Sequence, residues 1–368
     1  MSETDELSED QQSADLADRE IIVEKREMEE MEKTEENEQI PTINTSSTLA
    51  QPLSTHSKAT ESHMLHLKDE FRRPSQVLYH FLVKADEILV MHNDVLRQVG
   101  LAFVAGMFIS IGAVLSLWIT LGLRPDLLGI SRLLLGFGFS VGFILVVITN
   151  SALFTEMNVL LPVFLLSRRS LWKWRVLRLW VLVWAGNLLG MMFMGLMLNA
   201  GLMVNDNIVH RLDELFEEKL IWKDLGVAGW FQCMASGVVG NFLIGMAAFL
   251  SAAAPDFTGS VVGVLLPTIA FVAIGAQHSP ANTAYTCLAF INVAGRQPVS
   301  AKLWEMIAWN LCPATLGNLI GGAIMVGGLM FYLHGSALID VTSFFERTAI
   351  ATEHGDKSVR IPHITVDR

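Results

Sequence analysis

His278-Ser279-Pro280 stands in a stretch with no Lys, Arg, Asp or Glu from Phe257 to Gly295. An imidazole can hold or pass a proton near neutral pH, and an ionisable group at membrane depth is costly enough to mark a functional position by default. Pro280 cannot continue a helix begun before it, so the histidine falls where a helix breaks. A second polar insertion, Thr149-Asn150-Ser151 followed by Leu153-Phe154-Thr155-Glu156, interrupts another apolar run. In each, a candidate N-cap (Thr155, Ser279) precedes a residue suited to a first helical turn (Glu156, Pro280), so each run reads as two half-helices. The fresh N-termini offer free N–H groups and partial positive charge, which suits an anion or a hydrogen-bond acceptor. The plainer alternatives are a neutral histidine bonded to a nearby carbonyl, and Thr155 and Ser279 acting only as caps.

The elements that must position these residues are helices in a bilayer. The chain is 52% hydrophobic and only 17% charged, and its apolar residues lie in long runs. This composition predicts an all-α polytopic membrane protein. Six runs are long enough to cross, at 98–123, 133–167, 179–205, 225–255, 257–295 and 306–333. Arg168, Arg169, Lys173, Arg175 and Arg178 follow the second run, whereas Asp206, Asp213, Glu214, Glu217 and Glu218 follow the third. By the positive-inside rule both termini are expected to be cytoplasmic, and a plasma (inner) membrane location is expected with them. Residues 1–40 carry 16 acidic and 4 basic side chains, so the net charge of -11 belongs to a tail. The expected organisation is an acidic disordered tail over 1–62, a cytoplasmic amphipathic lead-in over 63–97, a six-span domain over 98–333 and a cytoplasmic tail over 334–368. Cys233, Cys287 and Cys312 sit in apolar runs at spacings that match no metal site, and no cofactor or nucleic-acid partner is expected.

The two breaks occupy the second span of the first three and the second span of the last three. The third span of each half also carries a matching stretch, Gly186-Asn187-Leu188-Leu189-Gly190 and Gly317-Asn318-Leu319-Ile320-Gly321. Since three spans end on the opposite side from where they begin, the halves form a 3+3 inverted repeat. Broken helices in inverted repeats mark a solute pathway, because backbone groups freed by a break must face polar protein or water. Asn187, Asn241 and Asn318 are expected to tie helices together or satisfy broken backbone.

These residues resemble the formate/nitrite transporter family, over about 95–333. The similarity lies in Leu153-Phe154-Thr155, in Gly275-Ala276-Gln277-His278-Ser279-Pro280-Ala281-Asn282, in Pro313-Ala314-Thr315-Leu316-Gly317-Asn318-Leu319-Ile320-Gly321-Gly322 and in Ala105-Gly106-Met107-Phe108-Ile109-Ser110-Ile111. The resemblance implies an aquaporin-like homopentamer in the lipid bilayer that passes small monovalent anions, with protons as a second partner. It also implies a substrate pathway of His278, Thr155 and Asn282, with His278 as the central protonatable group. Phe139, Phe143, Phe154 and Phe271 would form pore constrictions that block bare ions by dewetting.

Departures from the family pattern leave other readings open. Family members commonly carry an entrance lysine where spacing back from Asn241 places Leu225, which makes this chain a divergent member. Lys223 could supply the entrance charge if the segment were non-helical or shifted. Ala276-Gln277 stands where an aromatic and an acid are frequent. Glu156 would repel an anion if it faced the pathway, and at a half-helix start it could instead face a neighbouring span. An aquaporin-like pore for a neutral solute, or a membrane sensor or scaffold retaining the fold, are the alternatives to an anion channel or proton-coupled carrier. With no HExxH and no intramembrane aspartate pair, an enzyme is not expected.

Overall fold

The computed structural model describes residues 71–91, 94–167, 173–292 and 299–336, and no strand occurs among them. The expected acidic tail, Arg168 and Arg169, and nearly all of the C-terminal tail lie outside the described residues. An amphipathic helix α1 (Pro74–Val90) precedes the first span, α2 (Val95–Thr120). The second span is broken into α3 (Leu128–Ile148) and α4 (Phe154–Ser167), and the third is α5 (Lys173–Ala200). The linking segment folds as a further helix, α6 (Asp206–Asp224). The fourth span is α7 (Gly226–Ala253), and the fifth is broken into α8 (Phe257–Ala273) and α9 (Ser279–Asn292). The sixth is one helical rod of α10 (Val299–Met306), α11 (Cys312–Ile320) and α12 (Leu329–His334), joined by π-helical turns at Ile307–Leu311 and Gly321–Gly328. Five of these helical segments are long and apolar enough to cross a membrane unaided. The broken pairs complete six spans.

The two halves are built alike and in opposite sense. In the first, α2 packs on α3 and α5; in the second, α7 packs on α8 and α11; α3 against α8 joins them. Close approach within each half depends on glycine at matching places. A Cβ at Gly190 would overlap the Phe103 carbonyl oxygen, and one at Gly321 would overlap that of Val238. Without a hydrophobic drive between helices in lipid, such small-residue contact is a main source of association.

Helix α1 is part of this body. Its Val77, Leu78, Phe81, Leu82, Ala85, Ile88 and Leu89 form one buried stripe, the i, i+4, i+7 pattern of a helix packed on one side. The Phe81 ring meets that of Phe249 edge-on with centroids 6.1 Å apart. Arg72 closes the end of α7, its backbone N–H on the Ala253 carbonyl at 2.7 Å and its guanidinium on those of Ala252 at 2.7 Å and Ala254 at 3.1 Å. A cation donating to the last carbonyls of a helix both satisfies orphan acceptors and complements the helix dipole. At the other end of α1, Gln98 Nε2 donates to the Ile88 carbonyl at 2.8 Å.

Candidate functional site

Both helix breaks are made by one device used twice. The first half-helix ends with Asn150 in the left-handed region at φ 55°, and the second with Gly275 at φ 76°. Ser151 N–H bonds the Val146 carbonyl and Ala276 N–H that of Phe271, each at 3.0 Å, while Asn150 and Gly275 bond Val147 and Val272. This is the Schellman closure, in which a left-handed residue turns the chain back on the last carbonyls. The start of each second half-helix is then capped from another span. Asn187 Oδ1 accepts from Phe154 N–H at 2.8 Å, and its amide donates to the Ala102 and Ala152 carbonyls at 2.8 and 2.9 Å. Asn318 Oδ1 accepts from Ser279 N–H at 2.7 Å, and its amide donates to Gly237 and Gln277 at 2.8 and 3.0 Å. The expectation that Thr155 and Ser279 cap their own helices is therefore corrected. Helix α4 already begins at Phe154, and Ser279 Oγ has no partner among the described residues.

Released from capping, Thr155 faces His278. Its Oγ1 lies 2.9 Å from His278 Nε2, and both residues are buried. Nδ1 accepts the Ala281 N–H at 3.4 Å. Because Nδ1 is an acceptor there, Nε2 carries the proton and donates it to Thr155 Oγ1. Asn241 holds the same turn from behind, its amide on the Thr155 and Asn318 carbonyls at 3.3 and 2.6 Å. Phe139 and Phe271 flank the imidazole with centroids 6.5 and 5.3 Å away, and they meet each other edge-to-face at 5.7 Å. Phe143 is buried without a ring contact to the histidine, and Phe154 lines a separate small recess with Trp184 and Pro280.

A cavity of about 360 Å³ leads to the two phenylalanines from the α6 side. Its wall carries Arg132, Arg211, Glu218, Lys219, Gln277, Asn282 and Tyr285. Gln277 Oε1 accepts from Lys219 Nζ at 3.2 Å, Asn282 Nδ2 at 3.0 Å and Asn310 Nδ2 at 3.1 Å. Asn282 also donates to Asn310 Oδ1 at 2.7 Å. Asn282 thus sits in an amide cluster beside the histidine and does not bond the ring itself. The π-turn of the sixth span brings Asn310 into this cluster; π-turns re-aim side chains in this way and recur at functional sites.

Lys223, the candidate for an entrance charge, does not line this cavity. Helix α6 directs Lys223 to Glu305, with Nζ 2.6 Å from Oε1 and the side chain 42% exposed, away from the cavity. Lys219, one turn earlier, lines the cavity instead. Burial in the wall pulls its ammonium down to about 8, against smaller opposing effects from Cys233 and Glu218. Lys219 and Asn310 were not among the candidates. A visible signal was the spacing Ile208, Leu212, Leu215, Phe216, Leu220 after the capping Asn205, which marks 206–224 as amphipathic helix. Glu156 is 3% exposed and is not part of the cavity wall; its Oε1 pairs with Lys84 Nζ of α1 at 2.7 Å, and its Oε2 has no hydrogen-bond partner among the described residues.

Six spans in inverted halves, two of them broken around a polar site between aromatic rings, define an aquaporin-like membrane transport protein. The sequence model described as Formate/nitrite transporter matches residues 83–332, and the chain belongs to that family. It is 31% identical over 251 residues to a "Probable formate transporter" of Methanothermobacter thermautotrophicus, covering 65% of this chain and 89% of that one. It is 29% identical over 252 residues to the "Formate channel FocA" of Escherichia coli K12, covering 63% and 84%. Among solved structures, a "Pentameric formate channel with formate bound" superposes with TM-score 0.57 at 28% identity, covering 66% of this chain and 97% of that one.

Proposed function

We propose that this protein is a channel or secondary carrier for a small monovalent anion of the formate or nitrite kind, with His278 as its central proton donor. The observation that carries this reading is the pairing of an entrance cation with a protonated imidazole nitrogen across a phenylalanine constriction. Lys219 is hydrogen-bonded to the neutral amide of Gln277, where a carboxylate would have cancelled its charge. An anion drawn into the cavity then meets Phe139 and Phe271, whose apolar rings disfavour a charge and tolerate a neutral acid. A proton lent from His278 Nε2, relayed through or beside Thr155 Oγ1 and replaced on the imidazole in the same step by one entering from solution, lets the weak acid cross this point uncharged and release that proton to water on the other side. The α4 and α9 N-termini add partial positive charge on the far side of the rings. The tucked position of Glu156 removes the repulsion that would have favoured a neutral or cationic solute. The pentamer of the solved relative supports a homopentamer, and the loop charges support cytoplasmic termini; a plasma membrane is proposed with them.

The test is flux in proteoliposomes. Formate and nitrite uptake under an inward proton gradient should exceed glycerol and ammonium flux in the same preparation, and the reverse ranking would sink the reading. The entrance cation makes a pH-dependent prediction. The Lys219 pKa lies below its ordinary value, at about 8, so the ammonium is present below that pH and lost above it. At symmetric pH, KM for formate should rise roughly fivefold between pH 7 and 9, as about 1 kcal/mol of attraction is lost. Lys219→Gln should show the raised KM at both pH values. A wild-type KM that does not change over this range would remove Lys219 from the reading.

A further inference from the structure

Transport as proposed uses Thr155 and His278 and leaves Lys84 and Glu156 without a task. Both side chains are nearly sealed, at 6% and 5% exposure, and their 2.7 Å contact bridges residues 72 positions apart. A buried ion pair contributes little stability beyond what apolar residues of the same volume would give. What it does supply is a fixed distance between α1 and the first turn of α4. One end of that distance is anchored, because α1 is fastened to the end of α7 through Arg72 and to α2 through Gln98. The other end is next to the site. Adjacent residues on a helix diverge by about 100°, so Thr155 points inward to His278 while Glu156 points outward to Lys84.

We propose that Lys84 and Glu156 are positioning residues that hold Thr155 Oγ1 against His278 Nε2 by tying α4 to α1. This rests on the transport reading given above. If the tie is lost, the first turn of α4 is held, among the described residues, by Asn187 at Phe154 and Ala152, by Asn241 at the Thr155 carbonyl and by the Thr155–His278 contact itself, with nothing fixing it from the α1 side. The hydroxyl then shifts relative to the imidazole, and the entrance is untouched.

The experiment compares Glu156→Gln, Lys84→Met, Lys84→Arg and the double variant Lys84→Met/Glu156→Met of the full chain in proteoliposomes. The double variant removes both charges, so its assembly should match the unaltered protein. In it and in both single neutral variants, maximal formate flux should fall about tenfold at unchanged KM, the size of effect that sub-ångström misplacement produces. Lys84→Arg should restore most of the flux. In a Thr155→Val background, Glu156→Gln should cause no further loss, since two changes acting through one contact do not add. A well-assembled double variant with unaltered maximal flux overturns the proposal and leaves the pair purely structural. If Thr155→Val lowers flux while the Lys84 and Glu156 variants do not, only the positioning role fails. If Thr155→Val itself changes nothing, the transport role of Thr155 fails with it.

Discussion

His278→Ala should reduce formate and nitrite uptake under an inward proton gradient by about 10²-fold or more, the range set by losing a positioned proton donor. The imidazole is placed for one transfer: Nδ1 is occupied by the Ala281 N–H, so Nε2 alone faces Thr155. Alanine also leaves the buried Thr155 hydroxyl without its partner, and water entering that space cannot supply a proton at a fixed point. His278→Asn separates the two losses, because an amide can bond Thr155 and cannot hand over a proton. Its flux should remain low while the assembled protein is intact by size-exclusion chromatography. Uptake of both anions at the unaltered rate in either variant would end the proposed role of His278.

The second large effect is on folding. Asn187→Ala and Asn318→Ala should each destabilise the protein by about 4 kcal/mol. Each removes three hydrogen bonds worth about 1 kcal/mol apiece and leaves buried backbone groups unpaired at further cost. Asn187 and Asn318 are buried between helices, where no solvent is at hand to take over those groups. The effect should appear as a fall in thermal midpoint and in the yield of assembled protein in detergent. Equal losses for the two variants are expected, since Phe154 and Ser279 are held by the same three-bond arrangement. A variant melting at the same temperature as the unaltered chain would show that the caps are dispensable.

The spans, the breaks and the repeat were legible because each leaves a local mark: long apolar runs, polar insertions, and the Gly-Asn stretches of the third and sixth spans. His278 and Thr155 were legible for the same reason, as polar residues at the interruptions. The capping pattern was half legible. Asn187 and Asn318 were assigned to broken backbone, yet Thr155 and Ser279 were given their work, because an N-cap rule looks only at adjacent residues. Lys219 escaped for a different cause. Counting back from Asn241 led to Leu225 and then Lys223, and such counting assumes a backbone shape that the 19-residue helix α6 does not have. Nothing local links Lys84 to Glu156, since a charge on an amphipathic helix ordinarily points to solvent. Only packing of α1 against α4 brings them together.

The caps at Phe154 and Ser279 also bear on how the chain enters the bilayer. Each comes from a span that is synthesised later, Asn187 after α4 and Asn318 after α9. Until that span arrives, the new half-helix exposes N–H groups that lipid cannot satisfy. Spans two and three, and likewise five and six, must therefore leave the insertion machinery in pairs, with the unit of insertion being a broken helix together with the asparagine that seals it.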